Sequence, residues 1–119
     1  MVYESGELAK RQHRHADLLA EAFRIPEDPF KRPLLGFIAV HRPSEKFRGV
    51  GSGAELRKGL EESIRSVEQS QHAFETERAG GTTLKGAADL KKAVRIYSLG
   101  LKLHQGMLDL MLKHRLHEL

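Results

Sequence analysis

Cysteine is absent from the 119-residue chain. Its absence excludes disulfide staples, a thiol nucleophile, Cys-ligated zinc and iron–sulfur clusters. Tryptophan is absent too, and the other aromatics amount to five Phe and two Tyr. Base-stacking platforms for nucleic acid are therefore in short supply. No apolar run approaches the roughly 18 residues that a bilayer-crossing helix needs. The opening Met1-Val2-Tyr3-Glu4-Ser5-Gly6-Glu7 lacks the charged-then-apolar pattern of a secretory signal. These absences point to a soluble, cytoplasmic protein without a membrane span. Proline is scarce as well, and all four copies fall between residues 26 and 43, leaving the rest of the chain free to form long helices.

What is present describes one modest domain over residues 1–119. Leu, Ile, Val and Phe make up 31 of the 119 residues, above the roughly one-fifth below which chains stay disordered. A fold of this size buries on the order of 65% of its unfolded surface. The net charge of +4 is unevenly distributed. Residues 1–51 carry 9 basic and 7 acidic groups, residues 52–80 carry 4 and 6, and residues 81–119 carry 7 and 3. An acidic middle and a basic end suit two elements that pack together. A chain made to coat phosphate would more often be basic throughout.

Periodicity predicts an all-α, three-helix bundle-like domain. The first helix begins near Ser5 as N-cap, with Glu7 in its first turn. Leu8, His15, Leu18, Leu19, Ala22 and Phe23 recur at helical spacing until Pro26 stops it. The second helix opens on the capping box Ser52-Gly53-Ala54-Glu55, in which the Ser hydroxyl takes the Glu55 amide and the Glu carboxylate reaches back. Leu56, Leu60, Ile64, Val67 and Phe74 then form one stripe, and Gly80-Gly81 ends the helix.

The third helix runs from about Thr83 almost to the C-terminus and holds 10 of the 17 leucines. One apolar row is Leu90, Val94, Tyr97, Leu101, Leu108 and Met111; its neighbour is Ile96, Leu99, Leu103, Met107 and Leu110. Such a helix extends roughly 50 Å, whereas a compact domain of this length is about 35 Å across. The overhang would leave a sticky apolar surface. Leu99, Leu103, Met107, Leu110 and Met111 are therefore predicted to form an interface with a second copy of the chain or with another subunit of a multi-protein complex.

Residues 26–51 read as an irregular, Pro-containing segment between the first two helices. Within it the apolar run 34–40 reads as a short strand or an extended strip laid over the helices.

Seven histidines invite a metal reading. His13 and His15 point to different faces of a helix. His114 and His117 are three apart and could share a metal, with His104 ten residues earlier near the same side. A catalytic zinc site needs three protein ligands and usually a second-shell carboxylate, however, and no HExxH or comparable paired spacing is present. No metal and no cofactor are expected. The loop Phe47-Arg48-Gly49-Val50-Gly51-Ser52-Gly53 leads into a helix start, an arrangement that presents amides to phosphate. Its glycine spacing fits neither a dinucleotide fingerprint nor a P-loop, and a linker with a helix cap explains it better.

Basic residues form two loose groups. Arg42, Lys46 and Arg48 from the irregular segment, with Lys91, Lys92 and Arg95 from the third helix, are the candidates for sequence-independent contacts to an RNA or DNA backbone. Arg65 and His72 lie two turns apart on one helix face. They resemble the Arg–His active-site motif of HEPN ribonucleases, which are small and all-helical. That resemblance implies an RNA-cleaving enzyme, although 11 Arg and 7 His in one chain supply such a pair by chance. The apolar helix end, residues 99–112, is similar to the C-terminal helices of type III secretion rod and needle subunits, while the proline-bearing middle is not. The expected function is a non-enzymatic assembly subunit. A small basic subunit of a nucleoprotein complex is the first alternative, and the ribonuclease is the second.

Overall fold

The computed structural model describes residues 2–44, 46, 49–79 and 84–119, with the side chains of all but 2–5, 77–79, 84–88 and 90. The described residues form four α-helices, α1 (Val2–Phe23), α2 (Lys31–Val40), α3 (Gly53–Ala79) and α4 (Leu84–Lys113), and a closing 3-10 turn at Leu116–Glu118. No strand occurs among them. No helix among the described residues is long and apolar enough to cross a membrane.

The first helix starts earlier than its sequence signals suggest, at Val2, so Ser5 lies inside it. It ends three residues before Pro26, where Arg24 and Ile25 tighten the last turn by donating to the Glu21 and Ala22 carbonyls at 3.1 and 3.2 Å. Leu18 and Ala22 are its buried anchors, with Ile25 buried just past its end.

The main correction concerns residues 34–40. They are neither a strand nor an extended strip but the body of a fourth helix, α2. Asp28 organises its start: the carboxylate accepts from the Phe30 amide at 2.8 Å, and the main-chain oxygen accepts from Lys31 at 3.1 Å. Pro33 falls in the first turn, where a missing amide hydrogen costs nothing. Leu34 and Ile38, four apart, are buried together. The segment between the outer helices is thus mostly helical, and the expected three-helix arrangement becomes one of four.

The capping box at the start of α3 forms as expected. The Glu55 amide donates to Ser52 Oγ at 3.3 Å, and the Glu55 carboxylate accepts from Gly51 at 3.3 Å. From there α3 and α4 run as an antiparallel hairpin. Their register is fixed by Gln71 donating to Ser98 Oγ at 2.9 Å and by the rings of Phe74 and Tyr97, 5.3 Å apart. At the other end Arg115 adopts a left-handed conformation (φ 58°) that turns the chain back. Leu116 is thereby buried, and the Leu119 main-chain oxygen accepts from Gly53 at 2.9 Å.

Among the described residues, the buried core residues gather at this base: Leu18, Ala22 and Ile25; Leu34 and Ile38; Val50, Leu56 and Leu60; and Met107, Leu110, Met111 and Leu116. Beyond it the hairpin projects alone. No described residue in 61–76 or 91–106 is fully buried. Ile64, expected as core, is only half-buried. The radius of gyration is 17.8 Å and the extents are 57 × 38 × 18 Å, against roughly 13.5 Å for a compact chain of this length. The molecule is a small helical base carrying a two-helix arm.

Candidate functional site

The two apolar rows of α4 meet different fates. The first row faces α3: Tyr97 lies against Phe74, Leu101 and Leu108 are half-buried, and Met111 is buried. The second row is covered only at the base. There Phe30 lies against Gly106, and the Phe37 ring meets His104 edge-on at 6.3 Å between centroids. Met107 and Leu110 are buried under this cover. One and two turns further out the cover stops. Leu103, Leu99 and Ile96 are 38%, 63% and 67% exposed.

The five residues predicted as an interface are therefore divided. Met107, Leu110 and Met111 belong to the chain's own core, where they are buried together with residues of α1, α2, α3 and the closing turn. Leu99 and Leu103 remain on the open face, joined by Ile96, which stands in the same row. The row on α3 that faces the same way is made of small residues. Gly59 touches Phe37 of α2, so its row points to the α2 side. Ser63, Ser66 and Ser70 continue it at steps of four, three and four. The open face of the arm is thus a shallow trough with Ile and Leu on one wall and serines on the other.

At the base lies a half-open groove of ≈ 760 Å³ between Arg11 of α1, the end of α2, and the first half of α3, and it shares Ser63 and Ser66 with the serine wall of the arm. Phe37 and His41 form its aromatic wall, stacked at 4.2 Å. Arg11 is tied down there through Nη2, which donates to the Gly49 carbonyl and to Glu55, each at 2.8 Å. The His41 ring nitrogen Nδ1 lies 2.8 Å from the Phe37 carbonyl, which can only accept, so the ring donates.

Three of the amides leading into α3 are occupied by the chain itself, and Phe47 and Arg48 of the same loop lie outside the described residues. Val50 donates to His41, Gly51 to Glu55, and Gly53 to Leu119. A phosphate at this helix start would have to displace these partners.

The candidate nucleic-acid residues are not brought together. Arg42 and Lys46 are exposed near the base, and Arg48 lies outside the described residues. Lys91, Lys92 and Arg95 are exposed near the far end of the arm, roughly 35 Å away at the rise of an α-helix. Arg65 and His72 are both exposed on the arm, and neither lines the groove.

Among the described residues no group of three or more His, Asp or Glu side chains is placed to hold a metal ion. Several histidines have structural occupations. His15 donates to the Ile38 carbonyl at 2.8 Å, linking α1 to α2, and His104 donates to Gly100 at 2.7 Å. His117 is tucked into the base beside Glu118.

Sequence reasoning missed the Arg11–Glu55 pair, which spans 44 positions and has no local signature. Comparison with protein-family models, with curated proteins and with solved structures finds no match.

Proposed function

We propose that the chain is a non-enzymatic helical assembly subunit whose arm docks onto another protein chain through Ile96, Leu99 and Leu103. The observation that carries this reading is the lack of any fully buried described residue along the arm, next to exposed large apolar side chains in one row. Two helices side by side bury only one seam. Helices gain most of their stability from a packed apolar face, which this arm lacks on its open side. A partner lying in the trough supplies that packing. The cysteine-free composition fits a reducing, cytoplasmic setting for such a complex. Light scattering on the chain purified with its native partners is expected to give a mass well above 13.4 kDa. A clean 13.4 kDa monomer that recovers nothing and stays freely soluble overturns the proposal.

A second reading, backbone contacts to RNA or DNA, is favoured by one observation. From residue 91 to 108 α4 carries Lys91, Lys92, Arg95 and Lys102 and no Asp or Glu. Under this reading affinity for a short single strand falls with salt at a log–log slope of about 0.7 per phosphate contacted. No binding at low salt removes it.

A further inference from the structure

The open trough of the arm has a chemistry that selects among partners. This inference rests on the assembly reading and specifies the partner. We infer that the trough receives an amphipathic helix from another protein, with a leucine-type apolar stripe and acidic residues flanking it.

The apolar requirement follows from the row itself. Ile96, Leu99 and Leu103 are spaced by three and four, as are the knobs of helix-on-helix packing, and the opposite wall of serines lets a third helix approach closely. At the base, α2 already lies on this side of the hairpin, with Phe30 on Gly106 and Phe37 on Gly59. A partner helix continues that layer outward along the arm, beyond Phe30, which lies on Gly106 one turn below the exposed Leu103.

The acidic requirement follows from what surrounds the row. Arg95 and Lys102, four before and three after Leu99, run along its outer edge. Lys92 continues its line one turn before Ile96. All three are exposed. None appears in an ion pair among the described residues, where acidic α3 and basic α4 form no bridge to each other. Charges at the rim of a helix-in-groove complex select the partner by complementarity.

A second copy of the chain fits less well. The α1–α2 layer occupies the trough side of the base, so two arms stack face to face without collision only head to tail. That stacking sets α4 against α4 and places Lys92, Arg95 and Lys102 of one copy beside the same three of the other, and like charges in register oppose pairing.

The test uses the full chain and three labelled probes in fluorescence anisotropy: a three-heptad Leu-stripe peptide flanked by Glu, the same peptide flanked by Lys, and a short single-stranded RNA. The Glu peptide is expected to bind and the Lys peptide not to bind. Leu99→Glu should abolish binding. The triple variant Lys92→Glu, Arg95→Glu and Lys102→Glu should weaken the Glu peptide roughly tenfold or more and favour the Lys peptide. These positions are exposed, and circular dichroism should report an unchanged fold. Equal binding of the two peptides, or indifference to the triple reversal, overturns the acidic partner and leaves the assembly reading standing. Self-association abolished by Leu99→Glu replaces the acidic helix with a second copy and likewise leaves that reading intact. A monomer that binds neither peptide, with or without RNA binding, overturns both.

Discussion

Burial at single positions sets the size of each mutational effect. Leu60 is completely buried at the base, and Ile64, one turn on, is already in the half-buried seam. Leu60→Ala is expected to cost about 2–4 kcal/mol through lost burial and the remaining cavity. Ile64→Ala should cost clearly less, and urea melts of the two variants decide whether the core stops where described. Glu55 is a different kind of residue. Its carboxylate takes hydrogen bonds from Arg11 and from Gly51, and its amide is capped by Ser52. Ser52→Ala removes one cap, worth about 1 kcal/mol. Glu55→Ala removes the tie to α1 as well and should cost more; equal losses would mean that the Arg11 contact contributes nothing. The local half of this arrangement was legible in the sequence as Ser52 and Glu55 three apart. The Arg11 half was not, because nothing in a sequence marks a partner 44 positions away.

Among the elements, α2 shows how a helix can read as a strand. Pro33 in front, Pro43 behind and a short apolar run between them resemble a buried strand. The helical signal was present in the spacing of Leu34, Leu35 and Ile38, but seven apolar-biased residues are too few to separate the two periods. Tertiary burial of Leu34 and Ile38 decided the outcome. Gly36 weakens α2 intrinsically, and a Cβ placed there meets nothing within 4 Å. Gly36→Ala is therefore expected to stabilise the protein by about 0.5–1 kcal/mol in thermal or urea melts. A destabilising result would contradict the helical assignment of this segment. The long helices were legible because their stripes persist over many turns. Where their apolar cover ends was not, since that depends on how far α1 and α2 reach. The arm should accordingly open more easily than the base. In hydrogen exchange, amides of residues 61–76 and 91–103 are expected to exchange well before those of 56–60 and 107–111. Uniform protection along both helices of the isolated monomer would show that the arm needs no partner.

At the scale of the whole molecule, the five residues predicted as an interface fall on two surfaces, Leu99 and Leu103 exposed and Met107, Leu110 and Met111 buried. Helix length alone correctly signalled an overhang, but the overhang is the middle and far part of α4, not its C-terminal end. Met107, Leu110 and Met111 return to the base, where the turn at Arg115 and the burial of Leu116 close the core around them. Stability and assembly should therefore be separable by mutation within one apolar row and its immediate neighbour. Leu99→Glu places a charge where the side chain is already 63% exposed, so the isolated chain should keep its stability to within about 0.5 kcal/mol. The same change puts a desolvated carboxylate into any helix-on-helix contact made there, which is unfavourable by several kcal/mol unless the complex comes apart. Met111→Ala, at a fully buried site three turns away, should cost about 2–5 kcal/mol in the isolated chain. Wherever Met111→Ala remains folded, it should leave assembly unchanged. Urea melts paired with sedimentation of the native complex read both quantities on the same two variants. If Leu99→Glu lowers stability as much as Met111→Ala, the arm is packed within the chain. If Leu99→Glu changes neither stability nor assembly, the open row of α4 is not the contact.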